Sequence, residues 1–498
     1  MAEKDETVNI RKAMAVTFAE RYVNVAAQFA LTAIVARLMT PGEFGLVAIG
    51  VSIFAIIETV RDFGISNYII QHRDLTRDAA RTGFSVIAAL SCILAAFLYA
   101  SSSIIAEFYG DQRLTPYVEV LALTALAGMI VSPLKALLLR DMMFRELAFI
   151  NFGATLAFTS TIIALAWLGF SYMSYAWGGL AMTLTMAALC LYHRPHFWIF
   201  RPAFHEIRNA LVFGGYSSLS DTLSRLNEAL PFLVLGRFMP MTLIGIFNRA
   251  YFISTVPPKL LMVGIVPVAL PGFAAEARSG RDLKGPLLNA LSFLAVFLWP
   301  ALILLTLLAH PAVMILLGEQ WLQAVPIMQI LSIAALASLP LPLTFPVLSA
   351  VGQVKKSAQI GLLTVPASAA ILAFTVQFGL GAVACSFLLL IPFQAYLILR
   401  IMKQHIDFQW RELFAALSKS FAVTLISITP AAAIIATSGF SLVLSIPAGI
   451  GISLMMVPTW LAATWFAGHP VWSEIRTIFS PLVERFADRG LPQERKGH

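Results

Sequence analysis

Charged side chains within apolar stretches are the residues of this sequence best placed to do chemistry. A lone charge at the centre of a bilayer costs roughly 2.5–3.5 kcal/mol on the insertion scale, so such residues normally pair, face a bundle interior or line a wet cavity. Ten fall in the first, second, seventh and eighth apolar stretches: Glu20, Arg21, Glu58, Arg61, Asp62, Asp221, Arg225, Glu228, Arg249 and Lys259. The sequence therefore predicts that these four stretches enclose something polar.

The basic members of this set predict a path for an anion. They are Arg21, Arg61, Arg225, Arg249 and Lys259, and they are spread across the depth of the membrane. A phosphate group could pass from one to the next, because arginine binds phosphate through two parallel hydrogen bonds and lysine acts as a point charge. The last two cations have no acidic neighbour on their own helix. We therefore expect the five cations to bind a phosphate-containing substrate.

The acidic residues of this set could have other roles. They are Glu20, Glu58, Asp62, Asp221 and Glu228. These carboxylates could bind a coupling proton or sodium ion, or gate the cavity. Alternatively, they pair with the basic residues and hold one conformation closed. Asp221 and Glu228 share a helix face with the arginine between them, so pairing within that helix is expected.

The composition indicates a membrane protein. The chain has 498 residues, of which 59% are hydrophobic and 12% charged, which is more apolar surface than one soluble core can bury. Because a span needs ~20 apolar residues and its backbone groups must bond within the segment, we expect an all-α polytopic fold rather than a barrel. About fourteen spans are predicted, at 14–36, 43–62, 83–105, 117–139, 147–169, 173–192, 211–236, 242–271, 287–309, 323–350, 357–378, 381–401, 416–437 and 442–466.

The sequence carries no pattern for catalysis or for a bound cofactor. Cys92, Cys190 and Cys385 lie in three separate spans, and His193 and His196 lie in a loop, so neither a disulfide framework nor a metal site is predicted. No phosphate loop, HExxH or nucleophile-elbow pattern occurs. We expect a protein that is not an enzyme and uses no cofactor.

The distribution of lysine and arginine among the loops predicts how the chain is oriented in the membrane. Outside the spans nearly all of them fall on one side, together with both termini; the exceptions are Arg37, Arg113 and Arg237. By the positive-inside rule the rich side is cytoplasmic, so the net charge of +8 is a topology signal that also favours anionic lipid headgroups. The first stretch lacks a cleavage pattern and is predicted to be a retained helix. The basic residues are scattered over loops, so no nucleic-acid partner is expected.

A repeat of 200 residues relates the two halves of the chain. The run IVARLMTPGEFGL matches VLGRFMPMTLIGI, and the paired residues include Arg37 with Arg237 and Gly45 with Gly245. Chance similarity among apolar helices is the alternative, but the charges fall on corresponding helices of both halves. Repeats in the same orientation predict two lobes of six helices with the substrate site between them.

The predicted organisation follows from the spans and the repeat. It comprises a cytoplasmic N-terminus (1–13), an N-lobe (14–200), a C-lobe (201–401), a cytoplasmic amphipathic linker (402–415), two further spans (416–466) and a cytoplasmic C-terminal tail (467–498). Proline predicts kinks in two long spans, because it removes a helix hydrogen bond and clashes with the preceding turn. These prolines are Pro257, Pro258 and Pro267 in the eighth span, and Pro340, Pro342 and Pro346 in the tenth.

Several motifs resemble one family of membrane proteins. They are LMTPGEFG at 38–45, DFGISN at 62–67, IIQ at 69–71, LGEQW at 317–321 and LSAVGQ at 348–353. With these motifs the sequence is similar to the Wzx-type polysaccharide flippases of the multidrug/oligosaccharidyl-lipid/polysaccharide superfamily. The resemblance is to the exopolysaccharide branch that serves succinoglycan- or colanic-acid-like polymers.

This resemblance implies a fold, a function and partners. The implied fold is a V of two six-helix lobes around a cavity lined by helices 1, 2, 7 and 8, with two C-terminal helices that hold a polyprenyl tail. The implied substrate is an undecaprenyl-diphosphate-linked oligosaccharide, flipped by alternating access from the cytoplasmic to the periplasmic leaflet of the bacterial inner membrane for exopolysaccharide or lipopolysaccharide synthesis. Membrane lipids, a polysaccharide polymerase and export machinery are the implied partners.

Three other functions are compatible with the sequence. A drug/cation antiporter of the same superfamily would use the carboxylates to bind an ion and a cationic drug. A membrane glycan polymerase or acyltransferase would need catalytic groups in an outward loop or cavity. A structural partner of the export machinery would tolerate substitutions in the cavity.

Overall fold

The computed structural model describes residues 23–72, 75–204, 207–353, 355–437, 442–474 and 476–477, and the described part contains helices and no strands. The predicted all-α membrane fold is confirmed. Glu20 and Arg21 lie outside the described residues.

The N-terminal half runs from residue 23 to residue 204. Its helices are α1 (Val23–Leu38), α2 (Pro41–Asp62), α3 (Ile65–Gln71), α4 (Arg77–Tyr109), α5 (Leu114–Arg140), α6 (Phe144–Trp167) and α7 (Met173–His193). Helix α2 begins at a capping box, in which the Thr40 side chain accepts from the Glu43 N–H and the Glu43 carboxylate accepts from the Thr40 N–H. It ends where Phe63 and Gly64 adopt left-handed backbone angles, with φ of 45° and 67°.

The C-terminal half runs from residue 207 to residue 403, and further helices follow it. Its helices are α8 (Ile207–Phe238), α9 (Met241–Ser254), α10 (Val256–Arg278), α11 (Lys284–Leu307), α12 (Ala309–Leu316), α13 (Ala324–Ala335), α14 (Thr344–Ala350), α15 (Lys355–Thr375) and α16 (Leu380–Lys403). After it come α17 (Trp410–Ser427), α18 (Thr429–Thr437) and α19 (Ile446–Phe466).

Proline interrupts two of the predicted spans, as expected. The eighth span is divided at Thr255, with Pro257 and Pro258 in the first turn of α10. The tenth span bends by 44° between its two helical parts, Ala324–Ser338 and Leu341–Ala350. Both interruptions lie in the C-terminal half.

Ten helices of the described part are long and apolar enough to cross a membrane, or eleven if the bent pair is one span. The predicted number of fourteen stays a prediction. Helix α8 is outside this set, and it carries five charged residues within 32 positions. The described part of α1 is a shorter apolar helix.

The apolar cores show how the two halves meet. We call the end of the bundle that holds Thr40, Pro240 and Trp321 the Thr40 end, and the opposite end the Phe63 end. At the Thr40 end one joint core contains residues of both halves, including the fully buried Phe44 and Phe247. At the Phe63 end the described residues form two separate cores, one in each half. The bundle is therefore a V whose halves join at the Thr40 end.

Candidate functional site

Helices α2 and α9 cross at the Thr40 end with their backbones in contact. A methyl group on Gly45 would collide with the carbonyl group of Met241, and a methyl group on Gly245 would collide with the carbonyl group of Pro41. Only glycine permits so close an approach. We call residues 41–45 and 241–245 the glycine crossing.

The glycine crossing has the symmetry of the 200-residue repeat. Gly45 contacts Met241 and Gly245 contacts Pro41, which are the same contact with the two halves exchanged. A Cβ atom on Gly42 would lie 3.5 Å from the Oγ1 atom of Thr242, its own counterpart in the repeat. The repeat predicted from the sequence thus corresponds to a local two-fold relation between α2 and α9.

A short segment of the C-terminal half binds the end of α1. We call Gln320 and Trp321 the clasp. The Nε2 atom of Gln320 donates to the carbonyl oxygens of Ala36 (2.6 Å) and Met39 (3.3 Å), and the Nε1 atom of Trp321 donates to Ala36 (2.9 Å). Carbonyl groups at a helix end lack partners within the helix, so the clasp supplies donors across the boundary between the halves.

The repeat partners Arg37 and Arg237 also contact the opposite half. The Nη2 atom of Arg37 donates to the carbonyl oxygen of Ile315 at 3.1 Å. The guanidinium group of Arg237 lies 5.1 Å from the ring centre of Phe108. The Arg37 side is therefore hydrogen-bonded to the opposite half, whereas the Arg237 side makes a cation–π contact.

The third arginine predicted to face outward, Arg113, is held within the N-terminal half. Its Nη2 atom lies 2.7 Å from the Asp111 carboxylate, and this hydrogen bond holds the pKa of Asp111 below its ordinary value. Its guanidinium group also lies 5.9 Å from the ring centre of Tyr172. All three predicted outward arginines thus have partners at the Thr40 end.

Arg249 lies one turn beyond Gly245 and is buried. Its guanidinium group stacks 4.3 Å from the ring centre of Phe44 and 5.4 Å from that of Phe252. Asn248 accepts two hydrogen bonds from it, at 2.6 and 3.1 Å, and the Tyr175 side chain lies within electrostatic range. Because Phe44 and Tyr175 belong to the N-terminal half, Arg249 joins the halves beneath the glycine crossing.

Three further charged residues of the predicted set, Arg225, Glu228 and Lys259, are exposed and lie close together in the C-terminal half. Arg225 and Glu228 form an ion pair at 3.1 Å, with 56% and 64% of their side-chain surfaces exposed. Lys259 lies within electrostatic range of both. Its Nζ atom is 6.0 Å from the ring centre of Phe252, which also contacts Arg249. Glu228 on α8 therefore provides the acidic neighbour that the helix of Lys259 lacks.

Arg61 is buried against its own half. Its Nη1 atom donates to the carbonyl oxygen of Ala125 at 3.3 Å, and its guanidinium group occupies the space that a Cβ atom on Gly128 would need. Glu58, whose side chain is 58% exposed, lies 3.6 Å away. Binding of a phosphate group by Arg61 would require it to leave helix α5.

Two carboxylates from opposite halves lie near each other toward the Phe63 end. Asp62 accepts a hydrogen bond from Ser66 at 2.5 Å, and Asp221 on α8 lies within electrostatic range of Asp62. Nearby, a methyl group on Gly214 of α8 would collide with the Phe63 carbonyl group. The halves therefore also touch here, at a point where charges of like sign approach.

An apolar cavity of about 600 Å³ lies between α10 and α11. Leu261, Ile265, Phe273 and Phe297 are among its lining residues, and Glu276 is the charged residue among those lining it. The Phe297 ring lies 5.1 Å from that of Trp460, so α19 packs behind the cavity wall. Such a space accommodates an apolar chain.

The predicted site residues do not form one cluster. Arg249 and Lys259 are joined by Phe252, Arg225 pairs with Glu228 on α8, Asp62 and Asp221 lie near each other, and Arg61 packs against α5 with Glu58 beside it. Sequence reasoning missed Phe44, Tyr175, Gln320 and Trp321 as contacts between the halves. The motif LGEQW was visible, but its role depends on contacts with α1. In the described part of the chain no group of three His, Cys, Asp or Glu residues is placed to hold a metal ion.

Comparisons of sequence identify relatives among polysaccharide proteins. A family model described as "Polysaccharide biosynthesis protein" matches residues 34–326. The chain is 26% identical over 308 residues to the lipopolysaccharide biosynthesis protein WzxC of Escherichia coli K12, covering 61% of this chain and 62% of that protein. It is 22% identical over 330 residues to the succinoglycan biosynthesis transport protein ExoT of Rhizobium meliloti, covering 66% of each. The alignments span less than two thirds of these relatives.

Comparisons of structure identify the fold. The lipid II flippase MurJ in an inward closed conformation matches with a TM-score of 0.72 at 12% identity, covering 94% of this chain and 100% of that one. An inward-facing multidrug resistance MATE transporter of the MOP superfamily matches with a TM-score of 0.62 at 15% identity, covering 77% and 94%. These likenesses confirm the predicted two-lobed fold. The chain belongs to the polysaccharide biosynthesis protein family.

Proposed function

We propose that this protein flips an undecaprenyl-diphosphate-linked oligosaccharide from the cytoplasmic to the periplasmic leaflet of the bacterial inner membrane, and that it has no catalytic activity. The observation that carries the proposal is the joint core at the Thr40 end, with cations on the helices that diverge from it. Membership of the polysaccharide biosynthesis family supports the substrate class. A polysaccharide polymerase and export machinery would receive the flipped unit.

The proposed orientation places the Thr40 end in the periplasm and both termini in the cytoplasm. The positive-inside rule supports it, because the basic loops lie at the Phe63 end. In this orientation the structure is closed toward the periplasm by the glycine crossing, the clasp and Arg249. The headgroup then enters between the halves from the cytoplasmic side.

The exposed cations supply the proposed path for the diphosphate. Arg225 and Lys259 are exposed, and Phe252 lies between Lys259 and Arg249. A diphosphate bound by Lys259 would next meet Arg249, which must leave the Phe44 ring to bind it. Arg21 and Arg61 remain predicted ligands on the same path.

The polyprenyl tail stays in an apolar environment in this proposal. The cavity between α10 and α11 supports this role because its described lining is apolar apart from Glu276. The headgroup moves through the polar space while the tail remains in lipid. We also propose that the N-lobe spans residues 14–200, the C-lobe 201–401 and the two further spans 416–466, as the apolar stretches and the repeat predict.

The membrane potential is the proposed driving force. An anion that leaves an inside-negative cell gains ~2.3 kcal/mol per charge per 100 mV. A diphosphate with about two charges can therefore move outward without ATP. A coupling ion held by Glu20, Glu58, Asp62, Asp221 or Glu228 would serve to reset the carrier.

The test is transfer in reconstituted vesicles. Purified protein would be placed in vesicles with a fluorescent undecaprenyl-diphosphate oligosaccharide, and an impermeant quencher would report the leaflet. We expect transfer that depends on the protein and accelerates under a potential that drives anions out of the donor leaflet. Absence of transfer under either potential and with proton or sodium gradients would refute the proposal.

The drug/cation antiporter is the second candidate, because the MATE transporters share the fold and the boundary carries carboxylates. Overexpression in a drug-sensitive host separates the two functions. Drug resistance together with an unchanged level of surface polysaccharide would favour the antiporter.

A further inference from the structure

A histidine buried at the end of α19 is not used by the proposed transport. The helix ends at Phe466, and Gly468 adopts a left-handed backbone angle, with φ of 55°. The His469 N–H then donates to the Thr464 carbonyl oxygen at 3.0 Å, which reverses the chain. This turn places the imidazole against α11 and α17, where only 2% of the residue is exposed.

The hydrogen bonds of His469 define its protonation. Its Nδ1 atom accepts from the Val471 N–H at 3.2 Å. Its Nε2 atom lies 3.1 Å from the Ser292 hydroxyl and 3.0 Å from the Ser420 hydroxyl. Because Nδ1 accepts, the single ring proton of the neutral imidazole is on Nε2 and is donated to the serine oxygens.

A second proton has no acceptor in this site. It would place an N–H of the ring against the Val471 N–H and create a buried cation. The charged residue facing the ring is Lys419 on α17, whose Nζ atom donates to the Gly468 carbonyl oxygen at 3.1 Å. On α11 the contacts are Ser292 and Phe293, which carry no charge. Burial, together with Lys419, holds the pKa of His469 below its ordinary value.

The same residues connect His469 to the apolar cavity. The ring of Phe293, which lines the cavity, lies 6.4 Å from the His469 ring. One helical turn along α11, the Val296 carbonyl oxygen accepts from Trp460 of α19 at 2.9 Å. Docking of the C-terminal end of α19 therefore positions a wall of the cavity.

We propose that His469 is a pH-dependent latch: its neutral ring docks the end of α19 on α11 and α17, and its doubly protonated ring releases that end. Release would loosen the cavity wall at Phe293. The latch does not depend on the proposed transport function, so the two can fail separately.

The direction of the pH effect follows from linkage. The undocked histidine takes up a proton near pH 6.5, and the docked histidine does so only at lower pH. Docking is therefore complete above pH 6.5 and weakens as the pH falls through that value. For one proton the docking equilibrium is about tenfold weaker at pH 5.5 than at pH 7.5.

Hydrogen exchange of the full-length protein in lipid nanodiscs tests the latch. Exchange of the Val471 amide, corrected for its intrinsic rate, would be measured at pH 7.5, 6.5 and 5.5. We expect it to rise about tenfold between the extremes, and His469→Asn to abolish this dependence. The control His405→Asn changes an exposed histidine near the end of α16 and should retain it.

Two results would overturn the latch. One is a wild-type Val471 amide whose corrected exchange is the same at pH 7.5 and 5.5. The other is a His469→Asn protein with the wild-type pH dependence. If His469→Asn does not fold, Ser420→Ala serves instead: it keeps the titrating ring but removes a partner, so exchange at pH 7.5 should rise, and unchanged exchange would refute the latch.

Discussion

The two ends of the bundle are held together in different ways. At the Thr40 end the halves share one apolar core, and two glycines bring backbone against backbone. At the Phe63 end each half has its own core; Gly214 meets the Phe63 carbonyl group there, and the boundary nearby carries the carboxylates Asp62 and Asp221. The halves therefore share more apolar packing at the Thr40 end than at the Phe63 end, so we expect the Thr40 end to be the harder one to separate.

Two of the predicted cations, Arg249 and Lys259, also differ in their surroundings. Arg249 is buried at the closed end with aromatic partners from both halves, whereas Lys259 is exposed and faces Glu228. A buried arginine on an aromatic ring contributes to closure. An exposed lysine is available to a ligand.

The largest effect is expected from a covalent lock on the glycine crossing. Gly42→Cys combined with Thr242→Cys, with Cys92 and Cys385 replaced by alanine, places two thiols at positions that already touch. The oxidised protein should lose vesicle transfer completely, because the Thr40 end cannot part. Reduction should restore it.

Each single cysteine variant is the control for this lock. Both should transfer substrate with or without oxidant. Full transfer by the oxidised double variant, with the disulfide verified by mass spectrometry, would show that transport does not require opening of the glycine crossing.

The next effect is expected from alanine at the crossing. Gly45→Ala and Gly245→Ala each add a methyl group against a backbone carbonyl, which cannot rotate away as a side chain can. We expect at least a tenfold loss of transfer and a weakened closed state. Gly179→Ala is the matched control, since this helical glycine has open space at its Cβ position and alanine favours helix by about 1 kcal/mol.

Substitution of an exposed cation should impair transfer, whereas substitution of a buried cation should lower stability. Lys259→Ala removes an exposed charge, so transfer should fall more than tenfold while the thermal unfolding midpoint stays within a degree or so, as is usual for surface substitutions. Arg61→Ala leaves a cavity at Gly128 and removes the hydrogen bond to the Ala125 carbonyl oxygen, a loss of about 2 kcal/mol, and should lower the midpoint by about 2 °C in a chain of this size. If both variants keep their stability and lose transfer equally, Arg61 also acts on the substrate.

Much of this architecture could be predicted from the sequence. Long apolar stretches require helices, since backbone groups cannot go unpaired in lipid. The prolines at 257 and 258 predicted the break before α10. The match of Gly45 with Gly245 predicted a repeat, and both residues lie in the backbone contact between α2 and α9.

The site itself was less predictable, because side-chain direction depends on contacts far apart in sequence. Arg61 and Arg249 look alike as charges within apolar stretches. One is buried against α5 because Gly128 leaves room for it, and the other lies on Phe44. Neither partner is a neighbour in sequence, so helical periodicity gives no signal for the difference.

The smallest effect is expected from one hydrogen bond of the clasp. Trp321→Phe keeps a buried ring but removes the donor to the Ala36 carbonyl, a net loss of about 1 kcal/mol. Trp299→Phe removes an equivalent bond, from Nε1 to the Leu336 carbonyl oxygen at 2.9 Å, but within the C-terminal half alone. Both changes should destabilise the fold alike, and only the first should alter the balance between closed and open states.

Spin labels on Gln112→Cys and Gln323→Cys, one in each half at the Thr40 end, would measure that balance as populations of short and long distances. Trp321→Phe should raise the open population about fivefold, the factor that corresponds to about 1 kcal/mol, and Trp299→Phe should leave it unchanged. Equal shifts in both variants would mean that the clasp stabilises the C-terminal half rather than the contact between halves. The tight closure of the Thr40 end would then rest on the glycine crossing and Arg249.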